Sequence, residues 1–495
     1  MSENGQHSSA SWATSSGMKL DADACYRALI SRDGRFDGLF FVAVRTTGIY
    51  CRPVCRARTP GRDRCVFYRT AAEAERDGFR ACFRCRPELA PGNAPVDSVP
   101  RLVREAAARI EAGALNEMDV ERLASQLGVT GRHLRRAMIS ELSVSPIELA
   151  QTRRIGLAKH LLHDTSMPIS AIAFASGFRS IRRFNALFRR RFDRAPSAVR
   201  RAPPSAEPNE SISLTLDFRA PFDWPAMLAF LGPRATPNVE AVRGETYLRT
   251  ARLGNHRGWI AITTVPGRPA LRAEISLSLA PALMPLVARL RRLFDLDAQP
   301  ELIAAQLCGD RDLAPRVRAR PGLRVPGAFD GFEIAARAVL GQQVSVGAAT
   351  TLAGRVAASL GERIDTPHPE LNRIWPDPDR IARGPAESLS ALGILPSRAR
   401  TMRMLASASA RGDLALSGVA DVPSALQELE QLPGIGPWTA QYVAMRALRW
   451  PDAFPESDLG IRKALGGGSS AEVRRRSERW RPWRAYAAMH LWVSQ

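Results

Sequence analysis

Leu432–Trp450 reads LPGIGPWTAQYVAMRALRW, and the nature of the C-terminal half of this chain turns on it. Gly434 and Gly436 separate two helical patterns, about Val422–Gln431 and Trp438–Ala447. No Gly-Lys-Ser/Thr follows, so the Gly-x-Gly is not an NTPase phosphate loop. Glycines between two helices let backbone N–H groups approach a phosphate where the second helix starts, and the orphan amides and helix dipole there favour an anion. The stretch therefore reads as a helix-hairpin-helix, with Gly434, Gly436 and Thr439 as DNA-binding candidates. Asp458 lies 22 residues beyond Gly436, in FPESDLGIRKAL. A carboxylate there either caps the following helix or serves beside a phosphate clamp, and the two roles are compatible.

Working outward, Pro/Gly-rich joints at Ala90–Pro100 (APGNAPVDSVP) and Ala202–Pro208 (APPSAEP) divide the chain into four blocks. The expected domains are 19–89, 101–201, 209–297 and 298–495. The fold class is multidomain α+β: a small zinc domain, an all-α double helix-turn-helix domain, a mixed α+β domain and a helical helix-hairpin-helix domain. The 495 residues suffice for several cores. No apolar run reaches the roughly 18 residues of a membrane span. The polar start, Met1 to Gly17, has no apolar stretch for a signal peptide, so a cytoplasmic, nucleoid-associated protein is expected.

Charge points to a polyanionic partner. Seventy basic residues against 49 acidic ones leave +21, a surplus that favours nucleic acid. It is uneven: Arg101 to Arg201 holds 19 basic and 9 acidic residues. Within that block VERLASQLGVTGRHLRRAM (Val120–Met138) has the compact form of a helix-turn-helix, with Gly128 at the turn. Arg132, His133, Arg135 and Arg136 fall on its candidate recognition helix. A second copy, Ile169–Phe192, offers Arg179, Arg182 and Arg183, and a long helix of about Pro146 to His163 joins the two. Thr130 and Ser180 stand where N-caps are expected.

Seven cysteines are too few for a disulfide scaffold of this size, and four form two close pairs. Cys51-x3-Cys55 and Cys82-x2-Cys85, 26 residues apart, have the spacing of a tetrahedral thiolate site for Zn²⁺. GLFFVAVRTTGIYC alternates as one strand that ends at Cys51. Spacing alone leaves a structural zinc knot and a reactive thiolate both open.

RFDGLFFVAVRTTGIYCRPVCRAR with GFRACFRCRPE resembles the N-terminal domain of the Ada DNA-repair and response family. The resemblance implies that Cys51, Cys55, Cys82 and Cys85 hold zinc and that Cys51 accepts a methyl group from a DNA methylphosphotriester. GFRSIRRFNALFRRRFDRAPSAVRR resembles AraC-type activators, which implies promoter DNA and RNA polymerase as partners. AVLGQQVSVGAATTLAGR, WTAQYVAMR and RWRPWRAYAAMHLWV resemble the AlkA-type branch of the helix-hairpin-helix glycosylases, the 3-methyladenine DNA glycosylases.

Carried across, Asp458 is the catalytic carboxylate and Trp438, Tyr442 and Trp492 line the base pocket. Gln343 takes the place of an apolar wedge that fills the vacated base stack. Trp438 stands where strand-cleaving members carry a Schiff-base lysine, which implies hydrolysis of the glycosidic bond alone. The Pro-Cys-His-Arg site of the O6-alkylguanine methyltransferases is absent, and Cys308, in QLCGD, does not supply it. The competing expectation is a non-enzymatic regulator with structural zinc and a C-terminal half that binds damage without excising it.

Overall fold

The computed structural model describes residues 20–92, 101–200, 211–416 and 422–493. Residues 93–100 of the first expected linker, all of the second and the polar N-terminal stretch lie outside the described residues.

In the first block Phe41–Val44 pairs antiparallel with Ile49–Cys51 on one side and Cys65–Tyr68 on the other. The run expected as one strand is thus a hairpin. Gly48 turns the chain with φ at 65°, a left-handed conformation open to glycine without steric cost. Arg80–Ala81 then adds in parallel to Ile49–Cys51. Neighbouring strand ends therefore bring Cys51 and Cys82 to one edge.

Eight helices lie between Arg101 and Val199. Both expected N-caps form: Thr130 accepts from the His133 N–H and Ser180 from the Arg183 N–H. Pro146–Asp164, 19 residues long, starts with Pro at its first position and a reciprocal Ser145–Glu148 cap, which satisfies two orphan backbone donors.

Five antiparallel strands follow, in the spatial order Ser211–Asp217, Ala270–Ser276, His256–Thr264, Thr246–Leu253, Glu240–Arg243. The helices Trp224–Leu231 and Leu283–Leu293 accompany this sheet. The remainder is mainly helical, with one short ribbon, Glu362–Arg363 against Arg373–Ile374.

The apolar cores cross the sequence joints. One buried cluster holds Phe41 from the first block, Phe188 from the second, Leu214 from the third and Leu491 from the fourth. A second belongs to the helical part and includes Val339, Val356, Leu405 and Leu429. The helix Pro437–Arg446 serves both, giving Ala444 and Met445 to the first and Ala440 and Val443 to the second. The helix thus lies where the two lobes meet. Among the described residues no helix is long and apolar enough to cross a membrane.

Candidate glycosylase cleft and zinc centre

Asp458 is the N-cap of the helix Leu459–Ala464, and its Oδ1 accepts the Ile461 N–H at 3.0 Å. The same oxygen accepts from Trp492 Nε1 at 2.9 Å, and Oδ2 accepts from Trp438 Nε1 at 2.9 Å. The helix cap and both indole contacts coincide in one carboxylate, aimed by three N–H donors. Its two indole partners are residues expected in the pocket.

Trp438 and Tyr442, one helical turn apart, stack with ring centroids 5.3 Å apart and planes 9° from parallel. Tyr442 tilts toward Trp492 at 6.4 Å. Gln343 is exposed on the turn between the helices Gly331–Leu340 and Val346–Leu360, with φ at 55°. Gly434 and Gly436 are exposed, but Thr439 is buried and its hydroxyl accepts from Gln342 Nε2 at 3.0 Å. Thr439 supports the hairpin from inside instead of presenting its hydroxyl to solvent.

Sequence reasoning missed four residues here. Gln342 Nε2 also donates to the Gly434 carbonyl at 2.8 Å and so ties the Gln343 turn to the hairpin. Phe230, from the mixed domain, stacks on Trp492 at 6.3 Å, and the Arg234 guanidinium lies 4.0 Å from the Phe230 centroid. Burial pushes the pKa of Arg234 down. Arg446 Nη1 donates to the Tyr442 hydroxyl at 2.6 Å. Phe230 and Arg234 lie some 200 residues before the hairpin, and no local pattern marks them.

On the DNA-binding block Arg132, His133, Arg135 and Arg136 are all exposed along the helix Gly131–Leu142. Arg182 and Arg183 are exposed at the start of Ile181–Phe192. Arg179 is exposed too, but its Nε donates to the Asn116 carbonyl at 3.0 Å.

The Sγ atoms of Cys51, Cys55, Cys82 and Cys85 lie within 4.8 Å of one another. Sulfur–zinc bonds of about 2.3 Å set tetrahedral edges near about 3.8 Å, so the four fit around one zinc ion. Cys51 is 9% exposed. Hydrogen bonding from Cys55, Cys82 and Cys85, and then burial, push the Cys51 thiol far above its usual range, while hydrogen bonding from Cys51 pulls Cys82 down. Four crowded thiols cannot all ionise without a cation, and bound zinc supplies one. Cys25 and Cys65 are buried outside this set. Backbone amides also face the sulfurs: Arg52 N–H donates to Cys85 at 3.4 Å and Arg84 N–H to Cys82 at 3.3 Å.

These sites define a class: a helix-hairpin-helix glycosylase body preceded by a four-thiol zinc module and a double helix-turn-helix. Residues 24–88 match the metal binding domain of Ada, 123–202 a helix-turn-helix domain, and 213–330 the AlkA N-terminal domain. The probable bifunctional transcriptional activator/DNA repair enzyme AlkA of Mycobacterium tuberculosis is 41% identical over 487 residues, 96% of this chain and 97% of that protein. The chain belongs to this family of bifunctional transcriptional activators and DNA repair enzymes. The DNA-3-methyladenine glycosylase 2 of Escherichia coli is 39% identical over 57% of this chain and 97% of its own length. The solved 3-methyladenine DNA-glycosylase from Archaeoglobus fulgidus shares the fold over 56% of this chain and 96% of its own, at 21% identity and a TM-score of 0.50.

Proposed function

We propose that this chain senses methylation of DNA through its zinc thiolates, activates transcription, and hydrolyses the N-glycosidic bond of alkylated bases such as 3-methyladenine. The observation that carries the reading is the Asp458 carboxylate, oriented by the indole of Trp438 at the head of the hairpin's second helix and by that of Trp492 on the helix Arg484–Val493.

In this reading the alkylated base is flipped out of the duplex, because its glycosidic bond is out of reach inside the stack. Trp438, Tyr442 and Trp492 offer aromatic faces, which attract a cationic ring. A positively charged alkylpurine already leaves well, so the chain supplies an anion, Asp458, near the sugar as positive charge develops on it. Gln343 enters the vacated stack, and Gly434 and Gly436 let the backbone grip a phosphate. No lysine stands at the Trp438 position, so the sugar–phosphate strand is left intact.

At the other centre Cys51 Sγ attacks the methyl carbon of a methylphosphotriester. A sulfur–carbon bond forms, the carbon–oxygen bond breaks, and the phosphodiester leaves with the electron pair. Bound zinc keeps the sulfurs as thiolates at neutral pH. Losing one negative charge weakens repulsion between the module and DNA phosphates. The exposed arginines of the two recognition helices then hold promoter DNA for RNA polymerase, which places the chain on the nucleoid.

The test incubates the full chain with methylated duplex DNA and measures free 3-methyladenine. Release by the unsubstituted chain, lost in Asp458→Asn with DNA affinity retained, is the expected result. Binding without release by the unsubstituted chain would establish the regulator-only alternative.

A further inference from the structure

Arg52 directly follows the acceptor Cys51 and is 6% exposed. Besides its amide contact with Cys85 Sγ, its Nη1 lies 3.4 Å from the Cys85 carbonyl oxygen. Its Nε donates to Asp37 Oδ1 at 2.8 Å, and Nη2 reaches the other oxygen of the same carboxylate. Nη1 also donates at 2.6 Å to Oδ2 of Asp217, 165 residues along the chain. Asp217 ends the first strand of the mixed domain, Ser211–Asp217, and is 3% exposed. The guanidinium beside the acceptor thus finds one carboxylate within its own module and the other in the glycosylase half.

The same seam is tied a second time, since Arg219 Nε donates to the Asp37 carbonyl at 3.0 Å. Asp217 is itself held in place by Arg268 Nη2 at 2.9 Å. A buried cation set between two buried carboxylates responds strongly to the loss of either one. The residue that cation belongs to also delivers an N–H to a ligand sulfur, and such outer contacts orient ligands and tune how much charge they carry.

We propose that Asp217 is a positioning residue for methyl uptake: acting through Arg52, it fixes the amide that faces Cys85, so the acceptor centre is complete only with the glycosylase half in place. This inference rests on the reading of Cys51 as the acceptor.

The test uses the full chain with Asp217→Asn, which keeps the shape and removes the charge. Three quantities are compared with the unsubstituted protein: uptake of labelled methyl from a methylphosphotriester oligonucleotide, the sulfur-to-cobalt absorption band of the Co²⁺-substituted protein, and release of 3-methyladenine. Uptake at least tenfold slower with a shifted cobalt band, and base release within twofold, is expected. Uptake and band identical to those of the unsubstituted chain would overturn the proposal. If the unsubstituted chain takes up no methyl, the acceptor reading falls, and the cobalt band alone then reports whether Asp217 holds the sulfurs.

Loss of base release as well would mean that the variant misfolds, and a second measurement then decides on the unsubstituted chain. Methyl uptake removes one negative charge from the centre that the Arg52 amide faces, which weakens that contact and should loosen the seam. Hydrogen exchange across Ser211–Asp217 should quicken after methyl uptake. Exchange that stays the same would overturn the proposal.

Discussion

Trp492 donates its indole N–H to Asp458 at 2.9 Å, joining residues 34 apart in sequence. The last helix of the described chain, Arg484–Val493, thereby aims the carboxylate that the hairpin's second helix grips from the other side through Trp438. A hydrogen bond to a charged group contributes roughly 1.5–3 kcal/mol. Trp492→Phe keeps an aromatic ring against Phe230 and removes the donor together with one of the two fused rings. Excision of 3-methyladenine should fall about ten- to a hundredfold, at roughly 1.4 kcal/mol per tenfold, chiefly in kcat. A KM effect with unchanged kcat would show that Trp492 acts on the base and not through Asp458.

Gly434 adopts φ 89°, and a Cβ built there would sit 2.1 Å from Thr401 Oγ1. Thr401 Oγ1 itself donates to the Pro433 carbonyl at 2.8 Å. Gly434→Ala combines a left-handed backbone cost of about 1–2 kcal/mol with displacement of that hydroxyl. The hairpin should lose its grip on duplex DNA while methyl uptake at Cys51 persists. Comparing the affinity of the two proteins for an abasic duplex checks this.

Cys51→Ala should abolish labelled-methyl transfer from a methylphosphotriester oligonucleotide. The three remaining sulfurs should hold zinc more weakly, which a chelator-competition titration measures. Base release from methylated DNA should stay near the level of the unsubstituted chain, because the two centres use different atoms. Full methyl transfer by the variant would move the acceptor role to another sulfur.

Lys159 is completely buried on the helix Pro146–Asp164, and its Nζ donates to the Cys82 carbonyl at 2.8 Å and to Glu88 at 2.9 Å. Burial pushes the Glu88 carboxyl up, but Lys159 and Arg86 more than reverse this and hold it below its ordinary value of 4.5. A depressed carboxyl stabilises the fold above its unfolded pKa, and the contribution fades as pH falls below about 4.5. Zinc retention should therefore weaken on acidification. Lys159→Met, which breaks the pair from one side, should cost about 3–5 kcal/mol. Zinc release during urea titration should shift to lower urea in the variant and lose part of its dependence on acid.

The local features could be read from the chain alone. The spacing of Gly434, Gly436 and Asp458, the cysteine pairs and the N-caps Thr130 and Ser180 each follow from rules that act within a few residues, such as helix period, capping and ligand bite. The Trp438–Tyr442 stack belongs with them, because residues four apart on a helix face the same way. One reading gave way for an equally local reason: the strand into Cys51 became a hairpin at Gly48. Thr439 turned inward for a non-local one, to meet Gln342 97 residues away.

What the chain by itself determined, then, was the inventory: a four-thiol site, two helix-turn-helix units and a glycine hairpin followed by an acid. Only the tertiary structure decided what each charge and ring would face. Phe230 behind Trp492, Gln342 across the hairpin and Asp217 against Arg52 are such pairings. Their reason is common to all three. A partner supplied by another domain is selected by which surfaces come to lie together when the apolar cores close, and no periodicity along the chain encodes that choice.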